Sequence, residues 1–152
     1  MNFENITIAY FSAEIGISSD IPTYSGGLGV LAGDHIKSSA DIGLPMVAVT
    51  LFYKEGYFKQ EIDVEGKQKE SYPRFNHNIS ELREISNKIT LSLRGRDIWV
   101  RAYKYLHKGQ QGDKIPIYFL DTDIKENNKE DRGITLRLYS GDNNPVSYTH
   151  LR

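Results

Sequence analysis

The residues best suited to chemistry in this sequence form a glycine-rich stretch, Tyr24 to His35, in which Gly26, Gly27 and Gly29 occupy three of four consecutive positions. Glycines lack a Cβ, so such a loop can adopt positive φ angles and let a ligand approach the main chain closely. An apolar pattern at helical spacing follows: Leu28, Leu31, Ala32, Ile36 and Ala40. A helix that begins at glycines presents unpaired N–H groups and a partial positive charge. The stretch therefore predicts a site for an anionic ligand, for which a phosphate group is well suited.

Other interpretations of the glycines are weaker or remain open. A P-loop is excluded because the terminal Gly-Lys-Ser/Thr is missing. The string Gly27-x-Gly29-x-x-Ala32 matches a dinucleotide fingerprint, but that fingerprint follows its first strand almost directly, and here Ser12 to Ser25 intervenes. A purely structural role, in which the glycines let a helix pack tightly on a sheet, stays open.

Candidate site side chains outside the glycines are few. Glu14 follows the first predicted strand on the ligand side of the sheet, where a site carboxylate and a solvated loop acid are equally compatible with its position. His35 falls on the apolar stripe and is predicted to be a core or interface histidine. No second histidine stands at metal-ligand spacing on the same helix, so no metal site is predicted. Asp121 and Asp123 could bind a cation, but a solvating and capping loop is the expected outcome.

Aromatic residues on one later strand, Trp99, Tyr103 and Tyr105, suit stacking on sugars or packing of a sheet face equally well. The sequence shows neither a Ser/His/Asp arrangement nor a well-placed carboxylate pair. Its 152 residues allow one domain, and a net charge of −1 gives no reason to expect nucleic acid or an acidic membrane as a partner. With no cysteine, no apolar run of membrane length and no signal-like start, we expect a soluble cytoplasmic protein.

The first half of the chain predicts a βαβ unit. Ile6–Phe11 and Met46–Phe52 are short apolar runs that suit buried parallel strands. Between them lie a loop, Ser12 to Ser25, and a helix from about Leu28 to Ile42, with Gly43 suited to its end. Such units should be right-handed and bind ligands beyond the carboxyl ends of the strands.

The second half predicts an antiparallel meander attached to this parallel core. The expected parts are a hairpin around Glu65-Gly66, a helical turn near Glu81 to Ile85, strands at Ile89–Leu93 and Ile98–Ala102 joined by a Gly95-Arg96 turn, a strand at Ile115–Leu120, and a solvated loop at Lys125–Arg132. The last eight residues, Pro145 to Arg152, look foreign and resemble translated sequencing adapter. We therefore expect the natural sequence to stop near Asn144 and the chain to be truncated.

Several blocks of the sequence keep their order along the chain: Phe11–Gly16, Pro22-x-Tyr24-Ser25-Gly26-Gly27-Leu28-Gly29-x-Leu31 through Pro45, Gly56–Gln60, Leu120–Asp123, Asp131-Arg132 and Leu138-Tyr139-x-Gly141-Asp142. Together they resemble the amino-terminal region of the α-glucan phosphorylases, the glycogen/maltodextrin phosphorylase family, in its shorter prokaryotic branch. Two departures from the family pattern are tolerable: Ile15 replaces an aromatic residue, and Lys67 stands where tryptophan is common. The serious departure is length, because the family enzymes are several times longer.

The resemblance implies a fold and an activity. Residues 1–144 would be an incomplete, partial Rossmann-like amino-terminal domain of a GT-B glycosyltransferase, with the antiparallel meander as an insertion and the carboxyl-terminal cofactor domain absent. The family cleaves terminal α-1,4 bonds of glucans with inorganic phosphate and releases glucose 1-phosphate, using pyridoxal phosphate held on a lysine of that second domain. Gly26, Gly27 and Leu28 match the loop that faces the phosphate and the glucosyl unit, and Glu14 matches an active-site acid near the cofactor.

The fragment itself is expected to bind no pyridoxal phosphate covalently, to be inactive and to be marginally stable, while the full-length enzyme is compatible with a homo-oligomer. Two other functions remain as alternatives. A glycogen or starch synthase also has a Gly-Gly-Leu-Gly loop, which contacts a sugar nucleotide, but usually carries a lysine two residues before the glycine pair, where this chain has Tyr24-Ser25. The second alternative is a non-catalytic sugar- or phosphate-binding module.

Overall fold

The frame of the protein is a six-stranded mixed sheet, seen in a computed structural model that describes residues 6–72, 74–75 and 81–138. Within the described ranges the strands are β1 (Ile8–Phe11), β2 (Met46–Leu51), β3 (Lys59–Ile62), β4 (Gln68–Ser71), β5 (Arg83–Glu84), β6 (Ile89–Leu93), β7 (Arg96–Lys108) and β8 (Lys114–Asp121). The sheet order is β1-β2-β8-β7-β5, and β6 also pairs with β7. Strands β1, β2 and β8 are parallel, whereas β7 runs antiparallel to β8, β5 and β6.

Helix α1 (Gly27–Asp41) connects β1 to β2 and confirms the predicted βαβ unit. It ends where the sequence predicts, because Gly43 adopts a φ of 67°. The Gly43 amide then donates to the Ala40 carbonyl at 3.3 Å and the Leu44 amide to the Ser39 carbonyl at 2.9 Å, the bonds of a Schellman motif. Neither this helix nor α2 (Lys129–Arg132), the other α-helix of the described ranges, is long and apolar enough to cross a membrane.

The core lies on one face of the sheet, beneath α1 and the loop that precedes it. That loop contributes more than a connection, since several of its apolar side chains are fully buried. The clustered buried residues are Ile15, Ile17 and Ile21 of the loop, Ala32, Ile36 and Ala40 of α1, and Met46, Ala48, Phe52, Tyr103, Ile115, Ile117 and Phe119 of the sheet and its edges.

The face of α1 that packs inward differs from the predicted stripe. Leu28 and Leu31 are 50% and 67% exposed, whereas Gly29 and Gly33 are buried. The reason is the loop, whose backbone lies directly against the helix: the Gly16 amide donates to the Gly29 carbonyl at 2.8 Å. Of the two predicted roles of His35, the core role is wrong among the described residues, and the interface role stays a prediction. Its side chain is exposed, and its ring contacts that of Tyr10 with centroids 5.0 Å apart.

Strand β1 is parallel to β2, as predicted, but it is not buried on both faces. It is an edge strand, and Ile8 and Tyr10 pack against the core while Phe11 is 73% exposed on the opposite face. Continuous apolar character therefore overestimates burial here, because no described element covers that second face.

The predicted meander is present in β6, β7 and β8, yet it is not a separate insertion. Strand β8 pairs in parallel with β2 and so belongs to the same sheet as the βαβ unit. The turn between β6 and β7 is Arg94-Gly95 rather than Gly95-Arg96, since Leu93 pairs with Arg96. Both turn residues have positive φ, 54° and 75°, which matches the twist that two-residue hairpins require.

Three predictions for the remaining segments have mixed outcomes. The hairpin around Gly66 is confirmed as β3 and β4, which form their own two-stranded sheet. The helical turn near Glu81 to Ile85 is wrong, because β5 forms there and pairs with β7. The solvated loop at Lys125–Arg132 is correct in part: most of its side chains are exposed, but it ends in α2, and Asn127 and Asp131 are buried. Asn127 anchors the segment, its amide donating to the carbonyls of Trp99 and Thr122. The predicted foreign tail, Pro145 to Arg152, lies outside the described residues.

Candidate functional site

The glycine stretch forms the start of α1, with its first amides free of any side-chain cap. The chain leaves the carboxyl end of β1, crosses the loop and enters the helix at Gly26, whose φ is 129°. The first-turn bond runs from the Val30 amide to the Gly26 carbonyl at 3.1 Å, so the amides of Gly26, Gly27 and Leu28 precede it. All three residues are exposed, and no acidic residue occupies the first turn. Such a helix start favours an anion.

Three positions of this stretch require glycine for different structural reasons. A Cβ on Gly29 would lie 2.3 Å from the Tyr24 Cβ, and one on Gly33 would lie 2.1 Å from the Gly16 carbonyl oxygen, so close packing requires both. Gly26 is required by its positive φ. Gly27 has no positive φ, and a Cβ there would meet nothing within 4 Å. The structural interpretation therefore accounts for three of these glycines and leaves Gly27 unexplained.

Glu14 lies beneath this helix start instead of in solvent. It is 2% exposed, and its Oε2 accepts a hydrogen bond from the Ser25 amide at 2.8 Å. The same oxygen would lie 3.1 Å from a Cβ on Gly29, so the carboxylate occupies the bend where the loop enters α1. The sequence placed Glu14 and the glycines on the same side of the sheet, and the structure brings them into contact through Ser25.

Tyr53 belongs to the same buried region, and sequence reasoning missed it. It is 6% exposed and follows β2 at the carboxyl end of the sheet. Burial raises its pKa, and the negative charge of Glu14 raises it further, so the phenol remains neutral at physiological pH. Its position just after a core strand, on the side where ligands of parallel sheets bind, is the one sequence signal that points to it.

The Asp121/Asp123 pair forms a closed ion-pair network at the carboxyl end of β8. Asp121 is fully buried and accepts hydrogen bonds from Arg101 Nη2 at 2.6 Å, Thr135 Oγ1 at 3.2 Å and the Asp123 amide at 2.8 Å. Asp123 pairs with Lys54 and Arg132. The predicted solvating and capping loop is therefore correct only in part: Asp121 accepts the Asp123 amide as a cap does, but it is buried and ion-paired instead of solvated. Among the described residues, no group of three or more His, Asp or Glu side chains stands together as metal ligands.

The aromatic residues considered for sugar stacking separate into two groups. Tyr103 is buried, with its ring 4.8 Å from that of Phe52, and Tyr105 packs against the same core. Trp99 is 40% exposed. Packing thus explains two of the three side chains.

Comparison with known proteins gives the chain a family. The family model described as "Phosphorylase: Carbohydrate phosphorylase" matches residues 16–150. A maltodextrin phosphorylase of Thermococcus litoralis is 40% identical over 141 residues, and a glycogen phosphorylase of Mycobacterium tuberculosis is 42% identical over 147 residues. A glycogen phosphorylase of Aquifex aeolicus is 32% identical over 143 residues.

Each alignment covers 89% of this chain, but only 16% of the first two relatives and 20% of the third. The chain therefore corresponds to a small part of the proteins it matches. A mixed α/β sheet with a parallel core and a glycine-started helix is consistent with the phosphorylase amino-terminal region that the sequence blocks indicated. The family model covers well over half of the chain, so this chain belongs to the carbohydrate phosphorylase family.

Proposed function

We propose that this chain is the amino-terminal part of an α-glucan phosphorylase, which cleaves terminal α-1,4 bonds of a glucan with inorganic phosphate and releases glucose 1-phosphate. Membership of the family and the activities in the names of its relatives support this proposal. In this view the βαβ unit is part of a Rossmann-like domain of a GT-B enzyme, and the site lies between that domain and a second one.

The observation that carries the proposal is the open surface at Gly27. Glycine in place of alanine within a helix costs about 1 kcal/mol, and neither backbone strain nor packing requires it at this position. A ligand that approaches the main chain closely does require it. Free amides, a helix start and open space occur together at Gly26, Gly27 and Leu28, as a phosphate site needs.

Phosphorolysis gives these amides a defined task. A phosphate oxygen forms a bond to the anomeric carbon while the bond to the bridging oxygen breaks, and a proton passes to the leaving 4-hydroxyl. The amides of Gly26, Gly27 and Leu28 would hold the phosphate and the glucosyl unit in place. Fixed backbone dipoles aimed at negative charge need no reorganisation during the reaction, so they contribute strongly in a site that excludes water.

Pyridoxal phosphate would enter with the longer protein, in which the family holds it on a lysine of the second domain and uses its phosphate in proton transfer. In the described residues Lys54 is the lysine whose pKa is lowered, chiefly by burial, but it is ion-paired with Asp123 and so is not a free amine for a Schiff base. The residues here thus suit the phosphate and sugar side of the site and not the cofactor. The isolated chain should accordingly be inactive.

The test is an assay of the full-length protein with maltodextrin and phosphate, in which glucose 1-phosphate should appear. Gly27→Ala should raise the KM for phosphate at least tenfold, because a methyl group would occupy the space of the ligand. Gly133→Ala is the matched control: it also adds a methyl group in open space without positive φ, and it should change nothing. Transfer from a sugar nucleotide without phosphorolysis would contradict the proposal.

A further inference from the structure

A buried carboxylate without a counter-charge lies directly under the proposed phosphate loop. Glu14 is 2% exposed, and it makes no ion pair within the described ranges. Buried charges are normally paired, because taking an ion out of water is costly. What faces Glu14 instead is the bend into α1, through the Ser25 amide and the close approach of Gly29. The positive end of the helix is therefore its main compensation.

Glu14 is itself held rigidly at both sides. Ser12 Oγ donates to the Glu14 carbonyl at 2.6 Å, and the Glu14 amide donates back to that hydroxyl at 3.4 Å. The next residue is also fixed, since Thr23 Oγ1 donates to the Ile15 carbonyl at 3.1 Å. Because these bonds fix the main chain from which the Glu14 side chain projects, its carboxylate can hold the segment that it contacts.

We propose that Glu14 is a positioning residue: it acts as a hydrogen-bond acceptor for the Ser25 amide and thereby aims the amides of Gly26, Gly27 and Leu28 at the phosphate. This inference rests on the proposed function. The geometry separates it from direct acid–base catalysis, because the surface open to substrate is formed by the glycines while the carboxylate lies beneath them. The reaction then requires a Glu14 oxygen within hydrogen-bonding distance of the Ser25 amide, and it does not require the negative charge of Glu14.

Two substitutions of Glu14 in the full-length enzyme separate the effect of the position of its oxygen from the effect of its negative charge. Glu14→Gln keeps the length and one acceptor oxygen but removes the charge. Glu14→Asp keeps the charge but shortens the side chain by one methylene, which moves the carboxylate oxygen away from the Ser25 amide. We expect Glu14→Gln to retain kcat and the KM for phosphate within about threefold, and Glu14→Asp to raise that KM at least tenfold with a smaller change in kcat. Glu61→Gln on the exposed strand β3 is the control for loss of a negative charge elsewhere.

Hydrogen exchange provides a readout that does not depend on activity. In the same full-length proteins, exchange of the peptide containing Ser25 and Gly26 should rise about tenfold in Glu14→Asp and stay unchanged in Glu14→Gln and Glu61→Gln. If Glu14→Gln lowers kcat by a hundredfold or more while exchange is unchanged, the carboxylate takes part in the chemistry and the inference is wrong. It is equally wrong if Glu14→Asp changes neither the KM for phosphate nor the exchange.

Failure of the proposed function has a different signature. A wild-type enzyme that releases no glucose 1-phosphate would refute that function, whereas the exchange experiment would still show whether Glu14 holds the loop. In that case the claim that Glu14 aims the amides at phosphate would fail together with the proposed function. Hydrogen exchange alone would then test the claim that Glu14 holds the loop.

Discussion

Replacing Gly33 by alanine should destabilise the protein because the helix and the loop touch through their backbones there. A Cβ at this position would lie 2.1 Å from the carbonyl oxygen of Gly16 and 2.7 Å from its carbonyl carbon, whereas real Cβ contacts essentially never fall below 3.0 Å. The obstacle is main chain, which cannot rotate away as a flexible side chain can. Helix α1 and the loop must therefore separate by roughly 1 Å at this point.

The magnitude follows from three contributions. Overpacking of this kind costs about 1–3 kcal/mol, and more where the obstacle cannot move. Separation also strains the 2.8 Å hydrogen bond from the Gly16 amide to Gly29, whose loss costs about 1 kcal/mol. Against this, alanine gains about 1 kcal/mol over glycine within a helix. The net expectation is a loss of about 1–3 kcal/mol.

Gly27→Ala is the matched comparison, since the same exchange on the same helix meets open space. It should leave stability unchanged or raise it by up to about 1 kcal/mol. Urea unfolding of both variants measures the difference, and hydrogen exchange at the Gly16 amide should accelerate in Gly33→Ala alone. Equal stabilities of the two variants, within about 0.5 kcal/mol, would refute the packing argument.

Three further predictions concern charge and the uncovered sheet face. Burial alone would raise the pKa of Glu55, but hydrogen bonds from Arg137 and Arg74 outweigh burial and lower it. The interaction therefore stabilises the protein above the ordinary pKa of 4.5 and weakens as the pH falls below that value. Arg137→Met should thus cost about 1–2 kcal/mol in urea unfolding at pH 7 and less at pH 3.5, and a constant difference would contradict this. Burial lowers the pKa of His107, so stability should decline as the pH falls below 6.5, and His107→Gln should flatten that part of the pH–stability curve; an unaltered slope would argue against it. The isolated 152-residue chain should unfold over a broad temperature range, because no described element covers the Phe11 face of its parallel strands, and a sharp cooperative calorimetric transition would count against this.

The βαβ unit could be predicted from the sequence because its signals are local. Two apolar runs, a helical period and a glycine stop define β1, α1 and β2, and only the ends shift by one or two residues. Burial could not be predicted in the same way. Phe11 is exposed because no described element packs on its face of β1, and which face is covered depends on elements distant in the sequence rather than on the local apolar pattern.

The candidate site was only partly predictable for a similar reason. A helix start suited to an anion follows from glycine chemistry alone, so Gly26 and Gly27 could be proposed directly from the sequence. The contact between Glu14 and the Ser25 amide joins residues eleven positions apart through an irregular loop, for which sequence offers no period. The ion pair of Asp121 with Arg101 was equally hidden, because it depends on the register of β7 against β8.

The glycines of α1 separate stability from binding on a single helix. Gly29 makes room for the Tyr24 side chain and Gly33 for the Gly16 backbone, whereas a Cβ on Gly26 or Gly27 would meet no atom of the described residues within 4 Å. The long loop, which distinguishes this chain from a dinucleotide fold, is what the inner pair accommodates, and through Glu14 the same loop fixes the outer pair. Substitutions at the inner glycines should therefore act first on folding, whereas those at Gly27 should weaken phosphate binding without destabilising the fold. This division of roles accounts for the many glycines of α1, a residue that normally weakens helices, at the carboxyl end of the parallel strands.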